Sequence, residues 1–334
     1  MNHIDLSAVL ASKSFCKWLG NESNPAVEFA LLGHGEYNLN YTFAHPASGE
    51  KLVLRIPMGS QMHLANQVRY EYEALKLLFP SGRTPEPLYI DDTKSEFPYG
   101  FLVMSFLPGG ALNYQEHLPN AAQCFADIHS LSISPESHLI KPRNPLGAVL
   151  DECCAMFQKY LDCGFADSKT KTTISALLES GPEIITNYRD SGIRTIINTE
   201  VNSGNFLVRP DGFTYLVDWE KPLFACPGQD LGHFLAPTTT LWKTETLLSE
   251  AEIRKFLGLY CAKSSKYSDP QMLWDDTSPY LRMNCLRGIT WCAMAWVEYN
   301  SPGRLLKDEF TYEKIKYYLT SEFLEKLRED YLTG

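Results

Sequence analysis

The side chains best suited by type and spacing to do chemistry lie in one short run, IINTEVNSGNFLVRPDGFTYLVDWE, from Ile196 to Glu220. Glu200, Asn202 and Asn205 come early in it, and Asp218 and Glu220 close it. Two apolar segments lie between, Asn205–Val208 and Thr214–Val217, joined by the turn-forming Pro210-Asp211-Gly212. An antiparallel hairpin returns its second strand to the start of its first. The pattern therefore predicts that Glu200, Asn205 and Asp218 converge at one end. Two carboxylates and an amide oxygen form a hard-oxygen cluster suited to Mg²⁺ and to accepting a proton.

Such a cluster needs elements to hold it and to bring it a partner. Upstream, residues 28–57 read as a three-stranded meander. A Gly33-His34-Gly35-Glu36 turn forms its first corner, and Lys51–Ile56 is its third strand, carrying Arg55. Glycines at such a corner let backbone N–H groups approach phosphate closely. Residues 62–79 show a helical pattern, with Leu64, Val68, Tyr72, Leu75 and Leu78 spaced by three and four. Two more strands are expected, the second stopping at Pro108-Gly109-Gly110. Beyond residue 110 the pattern is mostly helical: 118–131, 148–162, 169–188, 249–261, 278–300 and 308–332. A helix over residues 5–19 precedes the meander.

This arrangement resembles the protein-kinase-like phosphotransferases, and more narrowly the aminoglycoside phosphotransferase and choline kinase group. That group carries H-x-D-x-x-x-x-N, a hairpin, and then I-D-W or I-D-F followed by an acid. Here Asn198 to Asn205 and Val217-Asp218-Trp219-Glu220 keep the spacing. Asn198 stands in place of the His, and Glu200 in place of the Asp.

The resemblance implies an α+β, two-lobed protein-kinase-like fold. A small antiparallel N-lobe, residues 1–107, would bind nucleotide, and a larger helical C-lobe, residues 108–334, would carry the catalytic loop and acceptor pocket. It implies transfer of the γ-phosphoryl group of ATP or GTP to a hydroxyl of a small molecule. Glu200 would orient that hydroxyl, and Asn205 and Asp218 would hold Mg²⁺. Gly33, Gly35 and Arg55 would lie at the phosphates, and the backbone around Met104 and Phe106 at the adenine. Glu71 would pair with Arg55, with Glu73 the alternative. Asp230 would brace the catalytic loop, or serve as a helix N-cap. His129 reads as a packed structural histidine.

In the same resemblance the acceptor pocket falls among the aromatic residues of the C-terminal half. Trp242, Trp291, Trp296, Glu220, Glu298, Tyr299 and the Trp274-Asp275-Asp276 run are its candidates. Aromatic faces with carboxylates favour a cationic alcohol, of aminoglycoside or choline type. Two rival readings remain at this stage: a nucleotide-binding pseudokinase, suggested by Asn198 and Glu200, and transfer of a nucleotidyl group by the same metal site.

Composition narrows the partners. The 334 residues are 44% hydrophobic and 21% charged, ordinary for a globular chain, with a net charge of −10. An acidic chain argues against nucleic acid and anionic membrane as partners. Nine scattered cysteines without C-x-x-C pairs give no zinc signature and no disulfide framework. No secretory leader and no run of about 18 apolar residues is present. A reduced, cytoplasmic protein is expected, as a monomer or a homodimer.

Overall fold

The computed structural model describes residues 5–20, 27–34, 38–301 and 308–332. Its N-terminal part is a five-stranded antiparallel sheet. The strands are β1 (Ala30–His34), β2 (Asn38–Ala44), β3 (Lys51–Pro57), β4 (Pro87–Asp91) and β5 (Phe101–Ser105), in spatial order β1-β2-β3-β5-β4. The two-residue period of β3 sorts its side chains. Leu52, Leu54 and Ile56 join Phe15, Phe43 and Phe101 in one core on the outer face. Arg55 alternates with them and faces the rest of the molecule.

Two helices cover this sheet. The first, α1 (Lys13–Trp18), is shorter than the helix expected over 5–19 because Ser12 caps it, accepting from Phe15 N. The second, α2 (Gln67–Leu78), starts later than residue 62 for the same reason, with Asn66 accepting from Arg69 N at 3.1 Å.

After Ser105 the chain passes to helices and short strands. Tyr114–His129 forms α3, Pro145–Asp162 α4, Ser168–Leu178 α5 and Ser180–Asn187 α6. The last two were expected as one helix over 169–188. Pro182 lacks an N–H and restarts the helix, while Ser180 Oγ closes the first one on Leu177 O at 2.7 Å. The hairpin of the sequence pattern is present as Phe206–Val208 and Thr214–Leu216, and Gly110–Ala111 adds a third strand. Thr195–Ile197 pairs with Leu223–Ala225, closing the loop between them at its base.

The C-terminal part is built around one long helix. Pro227–Leu235 forms α7, Pro237–Lys243 α8, Glu250–Cys261 α9 and Pro270–Asn300 α10; Glu309–Tyr318 and Ser321–Leu327 follow as α11 and α12. Thr320 caps α12, so the expected helix over 308–332 is broken there. Two glycines let helices close on α10. A Cβ on Gly232 of α7 would lie 2.6 Å from Leu281 N, and one on Gly288 of α10 would lie 2.4 Å from Thr238 Cβ. Among the described residues no helix is long and apolar enough to cross a membrane.

Candidate active site

The hairpin brings its ends together through backbone and side-chain bonds. Val217 N donates to Asn205 O at 2.9 Å, and Asn205 Nδ2 donates to Glu200 O at 2.6 Å. Asp218 follows with a left-handed backbone, φ 63°, a conformation that costs energy for a non-glycine residue and clusters at functional sites. Trp219 is fully buried and anchors the turn, its Nε1 donating to Leu216 O. The side chain of Asn198 ties the two carboxylate-bearing segments to each other. Its Oδ1 accepts from Glu200 N at 2.9 Å and its Nδ2 donates to Asp218 O at 3.0 Å. An amide, with a donor and an acceptor on one carbon, can make both bonds at once.

Asp218 faces a cleft of about 540 Å³ between the sheet and the helical part. Gly33, Arg55, Met104, Phe106 and Asn205 line it together with Asp218. The glycine expected at position 35 lies outside the described residues. Lys51 Nζ sits 4.0 Å from the centre of the Phe106 ring, over its face.

Arg55 is the bridge across the cleft. Its guanidinium lies 2.7 Å from Glu71, 2.6 Å from Asp218 and 3.5 Å from Glu220. Glu73, the alternative partner, pairs on the surface with Arg69 and Lys76. Burial pulls the Arg55 guanidinium down, but the three carboxylates more than reverse this and hold it above its ordinary value. Burial raises the Glu71 carboxyl, with Arg55 opposing.

Glu220 is placed differently from the sequence expectation. It is buried and accepts from Asn38 Nδ2 and from Gln61 Nε2, the latter at 2.7 Å, while its backbone oxygen accepts from Gln67. It therefore knits the sheet to the helical part and does not line the cavity onto which Glu200 opens.

The loop carrying Glu200 is braced from below. Asp230 Oδ2 and Oδ1 accept from Asn198 N and Thr199 N, each at 2.7 Å. Asp230 sits inside α7, whose N-cap is Cys226, so its role is to hold the loop and not to cap a helix. His129 Nε2 lies 3.3 Å from Asp230, and its Nδ1 lies 3.1 Å from Tyr260 Oη; both residues are buried. Thr199 is also left-handed, φ 73°. His233 Nδ1 donates to its carbonyl at 2.8 Å.

Glu200 opens on a second, smaller cavity of about 280 Å³. Its walls include Gln61, Asn202, Thr238, Thr239, Trp242 and Trp291. The two indoles meet edge to face, centroids 5.2 Å apart. A neighbouring cavity of about 190 Å³ shares His233, Asn284 and Arg287 with it. Lys221 Nζ contacts both the Glu200 carboxylate and Gln61 Oε1. Arg287 Nη2 lies 4.0 Å from the same carboxylate, and Arg287 also pairs with Glu152 through Nε at 3.0 Å and Nη2 at 3.2 Å. Burial pushes the Glu200 carboxyl up, but Lys221 and Arg287 outweigh it and hold it below its ordinary value.

Four further expected pocket residues lie elsewhere. Trp296 packs on Tyr160 and Phe165, and Glu298 pairs with Lys159 at the surface. Asp276 is buried, accepting from Tyr267 Oη at 2.6 Å and Ser191 Oγ at 2.5 Å. Trp274 lies under Arg254 at 4.1 Å. The periodicity of α10 explains the split. Arg287, Gly288 and Trp291 share a face at spacings of three and four, whereas Trp296, five residues on, points about 140° away. That spacing was the signal that could have found Arg287.

The cleft suits a hard cation. Asn205 spends its amide N–H on Glu200 O, which leaves its Oδ1 as an acceptor. Asp218 gives one oxygen to Arg55 and keeps the other. Among the described residues no cluster of three His, Cys, Asp or Glu is poised for a metal. A two-oxygen set suits Mg²⁺, which takes few protein ligands and fills its shell with water and phosphate.

A five-stranded sheet over a helical body, with an Arg–Glu ion pair and an Asn/Asp pair at their cleft, defines a protein-kinase-like phosphotransferase. The chain belongs to the phosphotransferase enzyme family (APH), whose sequence profile matches residues 28–261, and it is a small-molecule phosphotransferase. Solved structures share the fold at low identity. Spectinomycin phosphotransferase, in complex with ADP and spectinomycin, superposes with a TM-score of 0.61 at 13% identity, over 90% of this chain and 91% of that one. Choline kinase from Cryptosporidium parvum gives 0.64 at 11%, over 98% of each. Ethanolamine kinase from Plasmodium vivax gives 0.61 at 14%, over 93% and 87%.

Proposed function

We propose that the protein moves the γ-phosphoryl group of ATP or GTP to a hydroxyl of a small acceptor, with Glu200 facing that hydroxyl. The observation that carries this is the linkage through Asn198. One side chain bonds the backbone of both Glu200 and Asp218, so that an acceptor-side carboxylate and a phosphate-side carboxylate are fixed relative to each other. Such fixing matters because phosphoryl transfer depends on positioning and charge neutralisation more than on covalent chemistry.

In this reading residues 1–107 are the nucleotide lobe and 108–334 the catalytic lobe. Arg55, oriented by Glu71, holds the phosphates, and Gly33 lets the β1 corner approach them. Met104 to Phe106 meet the base. Asn205 and Asp218 hold Mg²⁺, which when bound neutralises charge on the phosphate oxygens. The acceptor oxygen forms the new bond to phosphorus as the bond to the bridging oxygen breaks. The nucleoside diphosphate leaves with that electron pair, and the hydroxyl proton passes to Glu200. Nine free thiols fit a reducing compartment.

The pseudokinase reading draws on one observation: Lys221 already occupies the Glu200 carboxylate. ADP release from Mg²⁺-ATP or Mg²⁺-GTP separates the two readings. It is measured alone and with panels of aminoglycosides, amino alcohols, sugars and hydroxy acids, with Asp218→Asn as the blank. Release above the blank with one class supports transfer. Release equal to the blank throughout supports the pseudokinase, and pyrophosphate in place of ADP shows nucleotidyl transfer.

A further inference from the structure

The charges around Glu200 differ from those a cationic acceptor needs. Among the described residues Glu200 is the one carboxylate in the wall of the 280 Å³ cavity, and it is held by Lys221 and reserved for the reacting hydroxyl. Glu152, in the adjoining cavity, is engaged by Arg287. An ammonium group entering here meets no unpaired acid. It does meet Arg287, which lines both cavities, and Lys221 at the second. Burial holds the His233 imidazole below its ordinary value, which disfavours its cationic form, and an imidazole offers an ammonium group no counter-charge.

Arg287 is the cation with capacity to spare. Glu152 takes its Nε and Nη2, and Nη1 makes no hydrogen bond to the described residues. A planar guanidinium can serve a second acid through its remaining edge. The other walls are neutral hydrogen-bonding groups, Thr238, Thr239, Asn202 and Asn284, and the two indoles. The larger cavity lies at the foot of the roughly 300–1,000 Å³ range that holds drug-sized ligands. Its occupant is nearer one sugar ring or one amino acid than a chain of rings.

We propose that the acceptor is a small hydroxylated compound carrying a carboxylate, which seats on the free edge of Arg287 while its hydroxyl meets Glu200. This rests on the phosphotransferase reading above. With Arg287 Nη2 4.0 Å from Glu200, acid and reacting hydroxyl lie a few ångströms apart on one molecule. The transfer balances as before: phosphorus gains the acceptor oxygen, the diphosphate leaves, and the carboxylate is unchanged.

The test uses the full chain with Mg²⁺-ADP and trios of like carbon skeleton, each an acid, a neutral alcohol and an amine: glucuronate, glucose and glucosamine; galacturonate, galactose and galactosamine; 4-hydroxybutyrate, 1,4-butanediol and 4-aminobutanol. Tryptophan fluorescence reads binding, because Trp242 and Trp291 line the cavity. At least one acid is expected to bind about tenfold or more tightly than its neutral and amine counterparts, the scale of one charge-assisted contact. Arg287→Gln should erase that difference and Arg287→Lys restore part of it, with Mg²⁺-ADP binding confirming that each variant is folded. Acids binding no better than their counterparts overturns the proposal, silence across every trio included, and so does an acid preference that survives in Arg287→Gln. ADP release is scored separately against Asp218→Asn. An acid that binds without stimulating release leaves the Arg287 site standing and defeats the transfer reading; release with amines alone does the reverse.

Discussion

The two sides of Glu200 and Asp218 are built in different ways. On the side proposed for the nucleotide, Arg55, Glu71, Asp218 and Glu220 form an ionic network, buried except at Asp218, that joins the sheet to the helical part. Each of its members sits in or beside a recognisable local pattern: a strand end, a helix, and the Asp-Trp-Glu that follows a hairpin. On the side proposed for the acceptor, Gln61, Glu152, Glu200, Lys221, His233 and Arg287 come from widely separated stretches of chain and meet only in the fold. In the proposed reading the first side holds phosphate, which every nucleotide presents alike. The second has to match one acceptor, and nothing in its local sequence announces it. Chemistry common to a family is written in short motifs, and specificity is written in long-range packing.

Substitutions can break this contrast. Asp218→Asn strikes the common side and should lower turnover by on the order of 10³-fold or more whatever the acceptor, as for other groups that neutralise charge in phosphoryl transfer. A robustly active variant would remove Asp218 from the metal site. Glu200→Gln stands on the border and should lower kcat by about 10²–10⁴-fold, the usual contribution of a positioned proton acceptor. Glu200→Asp sharpens the point. Lys221 meets the carboxylate at the reach of the longer side chain, so the shorter one should recover only part of the loss. Full recovery would mean that the extra methylene has no function here.

Glu71→Ala tests the common side at its buried end. Arg55 would keep Asp218 and Glu220, so the change should cost about 2–3 kcal/mol in urea unfolding, less than the 3–5 seen when a buried charge loses its partner outright. The KM for nucleotide should rise more than kcat falls. A well-folded variant with an unchanged KM would dissolve the pairing.

The sequence was informative wherever structure is local. The hairpin, the antiparallel sheet and the helix bearing Glu71 each follow from spacing or turn chemistry within a few residues. Boundaries moved where a cap intervened, as at Ser12, Asn66 and Thr320, or where Pro182 broke a run. The acceptor pocket was only half legible. Trp242 and Trp291 line it, while Trp296, Glu298 and Glu220 are turned into other contacts. Aromatic content says that something is packed, and only the 3.6-residue period on α10 says against what. The bond from Asn198 to both Glu200 and Asp218 depends on a backbone reversal between them, so no linear pattern carried it.

The smallest expected effect belongs to His233, on the acceptor side beneath Glu200. Burial lowers its pKa from the ordinary 6.5. A histidine depressed in the folded state binds its proton more readily when unfolded. Its contribution to stability is therefore present above pH 6.5 and lost as pH falls through the folded value. His233→Gln retains a donor for Thr199 O and has nothing to titrate. In urea unfolding between about pH 8 and pH 5, the wild type should lose stability more steeply on acidification than the variant does. Parallel curves would show that the imidazole is solvated well enough to titrate freely. In that case the floor beneath Glu200 is wet, and the acceptor pocket extends past Thr199 toward α7.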